Sequence, residues 1–416
     1  MINYQVARHI VIEQLGKESA TPSAEGVGLA LAHGRVLAAE VAADRDYPPF
    51  DRAMRDGYAV RAEEAREGAV LTCVGEMRAG DTPLAMPGAG ECLGIMTGAG
   101  VPAGTNAVVM VEFTSRNGDV VKFARPARAG QNIVSRGSEA RAGSVLLRTG
   151  ARVGYAELAL AAQVGAVELR CFRRPRVAIL STGDEIVPVE RAPGAFQIRN
   201  SNAWSLAAQV RLGGGEPVVL ATAADREEDL QDKISLGLRE DILILSGGVS
   251  MGKYDLVEKV LDRMGAEFFF DAVAIRPGKP AVFAMCAGKA VFGLPGNPLS
   301  TMVTFELFVT PAIDLRGGAA ARALPFVSAT LAEDVDEKTG MTHFLPARVE
   351  WPEGAGNADN DVAGRSEVGV VRALRWQGSG DIAAMARANC FLVVDREVSH
   401  MPAGASVAIL LRKDVL

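Results

Sequence analysis

From Pro175 onward the chain repeats one pattern: Val177–Leu180, Val218–Thr222, Ile242–Leu245 and Val291–Leu294 are short, apolar, largely β-branched runs. Each gives way to a Gly/Ser/Pro loop or a short polar connection. A helical pattern then follows, at Asn202–Leu212, Glu227–Leu238, Tyr254–Met264 and Leu299–Leu307. Strands that are apolar along their whole length are buried on both faces, so their alternation with helices predicts a three-layer α/β domain with a mostly parallel sheet over residues 175–322. The chain has 416 residues, room for roughly two to four domains of ~150 residues.

The flanking regions read differently. Residues 4 to about 32 have an amphipathic helical pattern broken near Thr21-Pro22-Ser23, and Tyr155–Gln163 reads as an alanine-rich helix; these belong to a region made of 1–46 and 149–174. Between them, over 47–148, short apolar runs alternate with Gly/Pro loops, which predicts a β-rich insertion domain. There Arg116-Asn117-Gly118-Asp119, lying between VVMVEF and VVKF, carries the Asn-Gly signature of a type I′ hairpin turn. After Pro325 the helical patterns stop, and short alternating strands interrupted by the polar stretch Gly354–Gly364 predict a C-terminal β-barrel-like domain, 323–416.

Charge excludes several functions. The chain carries 44 basic and 50 acidic residues, a formal charge of -6, with no basic run to follow a nucleic-acid backbone. No apolar stretch reaches the ~18 residues of a membrane span, and Glu13 interrupts what would be a signal-peptide core. The expectation is a soluble, cytoplasmic protein with neither nucleic acid nor membrane as partner. The five cysteines and four histidines are scattered, without the spacing of a thiolate or histidine metal site.

In open α/β sheets, ligands bind beyond the carboxyl ends of the strands. Three strand ends here carry unusual loops. In the first, Ser181-Thr182-Gly183 precede Asp184-Glu185; hydroxyls suit a phosphate and carboxylates suit Mg²⁺, though taken alone the segment fits a capped turn with solvated acids better. In the second, Ser246-Gly247-Gly248-Val249-Ser250-Met251-Gly252 join a buried strand to a helix. Such a loop brings backbone close to an anion, and Asp255 at the helix start is either a cap or a ligand to metal or ribose. In the third, Arg276 and Lys279 sit on the turn RPGKP, while Pro295-Gly296-Asn297-Pro298 end a strand ahead of a helix. Tyr47–Arg61 (YPPFDRAMRDGYAVR) and Ile95–Glu112 (IMTGAGVPAGTNAVVMVE) add exposed polar turns outside that domain.

Taken in order, FDxxxxDGYAV, MTGAxVPxG, GxNIxxRG, STGDE with a downstream SN, SGGVSxGxxD, PGKP, LPGNP and a late GSG with AN resemble the molybdopterin molybdenumtransferase family across essentially the whole chain. The resemblance implies an elongated four-domain protomer, dimerised through 1–46 and 149–174, and a homodimer whose cleft lies between the α/β domain of one protomer and the β domain of the other. It implies insertion of molybdate into adenylylated molybdopterin with Mg²⁺, giving molybdenum cofactor and AMP. The neighbours in such a route would be the molybdopterin adenylyltransferase and the apoenzymes that receive the cofactor. Carried onto this chain, it gives Asp56, Thr97, Glu185, Asp225 and Asp255 catalytic roles, with Glu185, Asp225 and Asp255 toward Mg²⁺ or ribose. Ser246 and Ser250 would face phosphate. Ser181, Thr182, Gly183, Gly247, Gly248, Pro295, Gly296, Asn297 and Ser379 would complete the binding loops, with Arg276 and Lys279 offsetting substrate anions.

This chain departs from the pattern at Ala53, where many members have serine, and at Glu139, where aspartate is common. Ala272, Met341 and Pro346 stand where basic residues are usual, which leaves open a tungstate substrate or a catalytically weakened pterin-binding scaffold, while the SGGVS loop leaves open an adenylyltransferase that consumes ATP and molybdopterin. Glycine, 45 residues and above the usual ~7%, concentrates in these same loops. The expected mode of anion binding is therefore backbone and metal rather than a lysine patch.

Overall fold

The computed structural model describes residues 1–17, 22–82, 87–248, 256–351 and 369–415. The chain divides into two units, one formed by Met1–Glu25, Gly34–Ala38 and Arg170–Leu416, the other by Gly26–His33 and Ala39–Leu169.

The first unit contains the α/β layer. Its strands are β1 (Arg176–Ser181), β2 (Glu216–Val219), β3 (Ile242–Ser246), β4 (Glu267–Phe270), β5 (Val282–Cys286) and β6 (Lys289–Leu294). They form one sheet in the order β2-β1-β3-β6-β5-β4. The first four run parallel and the last two pairings are antiparallel, so the sheet is mostly parallel as the apolar runs predict. Strands alternate their side chains between faces, and the alternation is visible in the two cores. Val177, Ile179, Ile242 and Ile244 pack on one face, with α1 (Tyr4–Gly16), α3 (Asn202–Gly213), α6 (Pro298–Thr304) and α7 (Thr310–Arg316). Ala178, Leu180, Leu243 and Leu245 pack on the other, with α4 (Glu227–Gly237) and α5 (Leu256–Arg263). Every one of these eight strand residues is 0% exposed, and a buried Leu, Ile or Val side chain contributes about 1.5–3 kcal/mol relative to exposure.

The same unit carries a barrel of β7 (Phe326–Leu331), β8 (Thr342–Glu350), β9 (Val370–Ala373), β10 (Cys390–Val394) and β11 (Ser406–Leu411). Following the pairings β8-β9-β7-β11-β10 and back to β8 closes it, which removes the free strand edges. The barrel is not purely β: α8 (Ile382–Arg387) interrupts it, with Asp381 accepting from the Ala384 amide as N-cap. Six residues are too few for a periodic signal to stand out. The expected polar loop Gly354–Gly364 lies outside the described residues.

The second unit holds a six-stranded sheet in the order Ala107–Met110, Gly57–Val60, Glu91–Ile95, Val70–Met77, Val120–Phe123, Thr114–Asn117, and the helix α2 at Tyr155–Gln163. The hairpin expected at 116–119 forms, but its strands are Thr114–Asn117 and Val120–Phe123. Gly118, at φ +60°, is the only turn residue with positive φ, whereas a type I′ turn needs two; VVMV instead pairs with Gly57–Val60. The N-terminal helix is likewise shorter than its pattern suggests. It ends at Gly16, and Ala24–Gly28 is a strand followed by a 3₁₀ turn at Leu29–Leu31. The helix expected over Leu299–Leu307 stops at Thr304 and passes through a π turn, Phe305–Val309, into α7.

Candidate active site

Parallel register places the ends of three strands side by side: Ser181 faces Ser246, and Ser246 faces Leu294. The loops that leave these ends enclose a cavity of about 740 Å³. Ser181, Thr182, Gly183 and Glu185 line it from the first loop, Ser246, Gly247 and Gly248 from the second, and Pro295, Gly296 and Asn297 from the third. Asp225 completes the set from the loop ahead of α4.

The second loop requires its glycines. Gly247 and Gly248 have φ of +93° and +66°, and a Cβ on Gly248 would stand 2.7 Å from Thr182 Oγ1 and 2.8 Å from Val257 Cγ2. Their amides do less than a free anion cradle would. Thr182 N donates to Ser246 O, Gly183 N to Ala223 O and Gly247 N to Leu294 O, so these three N–H groups close the loops on one another. Much of the polar lining comes from side chains that the motifs left without a role. Asn202 Nδ2 donates to Ser246 Oγ (2.9 Å) and Gly296 O (2.8 Å), tying the second loop to the third. Asn200 Oδ1 accepts from the Ala203 amide at the start of α3 and lies 3.2 Å from Ser181 Oγ. The signal that could have found them was there: an Asn-Ser-Asn run directly ahead of a helix, where such residues cap and turn.

Two polar atoms are buried here with no partner among the described residues, Thr182 Oγ1 and Asn202 Oδ1. Native structures seldom leave such atoms unpaired, and both belong to residues that line the cavity. Asp225 lines it too. Partial desolvation, then the neighbouring Asp184 and Glu185 carboxylates, push its acid above the usual aspartate range, against the pull of a backbone hydrogen bond from Asp184.

The cations fall elsewhere than expected. Arg199, not Arg276 or Lys279, lines the cavity, with Nε on Val189 O. The Arg276 turn reaches the cavity through Pro280 alone, and Arg276 Nη1 instead lies 3.9 Å from Glu337 Oε2, whose other neighbour is Nδ1 of the buried His343 at 2.8 Å. Ser379 does not line the cavity either. It braces the wall: its Oγ accepts from Asn297 Nδ2 (2.8 Å) and its carbonyl from the Leu299 amide (3.0 Å), while Gly380 and Ile382 beside it do line the cavity. Ser250 and Asp255 lie outside the described residues. Of the positions that depart from the family pattern, Ala53, Ala272 and Pro346 are buried, and Glu139 is ion-paired with Arg52 at 2.6 Å.

Asp56 and Thr97 belong to the second unit, and there they meet each other. The antiparallel register Gly57↔Ile95 brings their loops together, and Asp56 Oδ1 accepts from both Thr97 N (2.7 Å) and Thr97 Oγ1 (2.6 Å). The hydroxyl, then the amide, hold this carboxyl below the usual range. Gly57, next to Asp56, permits the close approach of the neighbouring strand Ala107–Met110, because a Cβ there would collide with the Val109 carbonyl.

Comparison with known proteins covers nearly the entire chain. Three family profiles match in order: the MoeA N-terminal region (domain I and II) over residues 2–165, the probable molybdopterin binding domain over 178–315, and the MoeA C-terminal region (domain IV) over 328–411. A molybdopterin molybdenumtransferase of Haemophilus influenzae is 32% identical over 98% of both chains, and one from Nostoc is 36% identical over 75% of this chain and 74% of its own. The crystal structure of a molybdopterin biosynthesis moeA protein from Pyrococcus horikoshii OT3 superposes with a TM-score of 0.78 at 26% identity, covering 99% of this chain and 100% of that one. An identity of this level over this length, together with the ordered profiles, places the chain in the molybdopterin molybdenumtransferase family.

Proposed function

We propose that this chain inserts molybdate into adenylylated molybdopterin, cleaving the phosphoanhydride and releasing AMP. The observation that carries the reading is the cavity at the strand ends, with two unpartnered buried oxygens and two carboxylates on its wall. Phosphoryl chemistry of this kind needs positioning and charge neutralisation more than covalent catalysis by the protein.

The residues fit Mg²⁺ only as a shared ion. Glu185 and Asp225 line the cavity, but among the described residues no group of three or more acidic, His or Cys side chains is arranged to hold a metal by itself. A magnesium ion there would take these carboxylates and complete its shell with substrate phosphate oxygens and water, as Mg²⁺ commonly does. When bound, it would neutralise charge building on the leaving phosphate. The chain's own residues then divide the remaining work. Asn202 holds two loops at fixed spacing, and Arg199 offers a guanidinium to an anionic group. Asp225, whose charged form is disfavoured in the free protein, gains most from a cation.

Asp56 and Thr97 act in the same reaction from the second unit, Ser250 and Asp255 extend the phosphate loop, and Arg276 and Lys279 serve substrate anions further from the cavity. A homodimer working in the cytoplasm completes the proposal. It is supported by family membership and by the absence, among the described residues, of any helix long and apolar enough to cross a membrane. Incubation of purified protein with adenylylated molybdopterin, molybdate and Mg²⁺ tests the activity by AMP release. Equal release from Asp225→Asn, or none from the wild type beside an active relative, would refute it; tungstate in a parallel reaction reads the choice of oxyanion.

A further inference from the structure

All five cysteines are free thiols, and two of them meet. Cys73 lies in the strand Val70–Met77 and Cys92 in Glu91–Ile95, neighbours in the six-stranded sheet of the second unit. Their parallel register sets Cys73 directly against Cys92. Residues paired in this way face the same side of a sheet, and both thiols belong to one core, with Tyr58, Val121 and Phe123. Neighbouring strands run about 4.7–4.9 Å apart, inside the roughly 4.4–6.8 Å of Cα separation that a disulfide spans. The register shifts just after Cys73, and an irregularity of this kind lets the strand bend there. The other three cysteines, Cys171, Cys286 and Cys390, lie in the first unit.

The two sulfurs are not equivalent. Cys92 is 0% exposed and Cys73 6%, so a small oxidant reaches Cys73 first. Burial, then the charge of Cys73 and a hydrogen bond to it, push the Cys92 thiol up to about 12 and keep it protonated. Cys73 Sγ donates in turn to Gly75 O at 3.2 Å. Arg116, half-exposed on the strand Thr114–Asn117, stands beside this pair. Cys73 is the largest influence raising its guanidinium, ahead of a hydrogen bond with Tyr58. Positive charge next to a cysteine favours the thiolate, which is the reactive form.

We propose that Cys73 and Cys92 are a redox-active dithiol that hydrogen peroxide converts to a reversible disulfide, with Arg116 beside the sulfur that reacts first. The Cys73 thiolate attacks one peroxide oxygen, the O–O bond breaks, and the departing hydroxide becomes water with the proton that Cys73 has shed. Cys92 then attacks the sulfur of the resulting sulfenic acid. The S–O bond breaks, and the hydroxyl leaves with the Cys92 proton as a second water. Two thiols have lost two electrons and one peroxide has gained them. Disulfides formed in reducing compartments are usually transient and respond to oxidant. Nothing in this chemistry draws on the molybdate reaction.

The test treats the reduced full chain with hydrogen peroxide, alkylates the remaining thiols and digests it with trypsin in the absence of reductant. Cleavage after Arg66, Arg78 and Arg116 puts the two cysteines on separate peptides, 67–78 and 79–116. The expected product is this peptide pair joined, two hydrogens lighter than the sum and separated by dithiothreitol, with Cys171, Cys286 and Cys390 alkylated. In Cys92→Ala, Cys73 should stop at the sulfenic acid and be trapped by dimedone; Cys92→Ser serves if the alanine variant loses its native circular dichroism. Arg116→Gln should slow the joining roughly tenfold, the scale of one lost neighbouring charge, and Arg116→Lys should recover most of the rate. Absence of the joined pair overturns the proposal, as does joining at full rate in Arg116→Gln. So does oxidation in which Cys171, Cys286 and Cys390 take an equal part, because it then follows unfolding rather than the strand pairing.

Discussion

Asp56 and Asp225 are both exposed aspartates on loops beside strand ends, and both are given roles by the same route, the resemblance to the family. Their surroundings are opposite. Asp56 accepts two hydrogen bonds from Thr97, and its acid is strengthened. Asp225 faces partial desolvation and two other carboxylates, and its acid is weakened. A carboxylate that its own fold has already satisfied is a fixed part of a loop. One that its fold leaves among like charges would gain from a nearby cation. The contrast is between a carboxylate held by its own loop and one left beside other carboxylates.

The largest effect should come from destroying the cavity beside Asp225. Gly248→Val puts a β-branched side chain at positive φ against Thr182 and Val257, a strain of order 1–3 kcal/mol. AMP release should fall at least about a hundredfold, while the second unit keeps its hydrogen exchange protection. Retained activity would mean that the loop tolerates reshaping. Next, Asp225→Asn should lower AMP release by about 10²–10³, the usual cost of losing a group that stabilises developing charge, and raise the Mg²⁺ concentration needed for half-maximal rate. A loss that excess Mg²⁺ fully reverses would confine Asp225 to metal affinity.

A smaller effect distinguishes the two aspartates by pH. Asp225 is raised, so its ionisation destabilises the fold: that cost begins as pH rises through the ordinary aspartate value and is complete above the raised native one. Mg²⁺ should therefore raise the melting temperature increasingly across that window, and the dependence should vanish in Asp225→Asn. Asp56 is lowered, so its contribution is present above the ordinary value and disappears as pH falls through its lowered one. Thr97→Val removes the hydroxyl donor and should return the Asp56 carboxyl toward the ordinary range, read by carbon-detected NMR titration. An unmoved titration would show that the amide alone sets it. Smallest of all, Arg276→Gln removes a half-exposed contact at 3.9 Å and leaves Glu337 on the buried His343. Exposed pairs contribute about 0–1 kcal/mol, so melting should barely change, and any change in activity would bring Arg276 into the reaction.

Much of this was legible in the residues. Runs that are apolar along their whole length announce strands buried on both faces, and the split of Val177 and Ala178 into opposite cores is the physical content of that signal. The glycine loops were legible because positive φ has few other residues to serve it. What the sequence does not show is where hydrogen bonds end. The amides of Thr182, Gly183 and Gly247 look available on paper and are spent on the carbonyls of Ser246, Ala223 and Leu294. Arg276 looks closer to the ligand than Arg199 because it sits in a stronger motif, yet the fold turns it toward Glu337. The short α8 and the π turn carry too few residues for periodicity, and both are held by tertiary packing.

Ser379 adds a constraint of a different kind. It reaches from the barrel to fix Asn297 and the first turn of α6, and Gly380 and Ile382 close the same wall. The α/β layer of this chain is thus not a portable module: excised at its own sequence boundary, it would keep its strands and lose one side of its pocket. Selection on the substrate must then act on barrel residues as well as on loop residues, and a grafting experiment that transplants the layer alone should transfer the fold without the affinity.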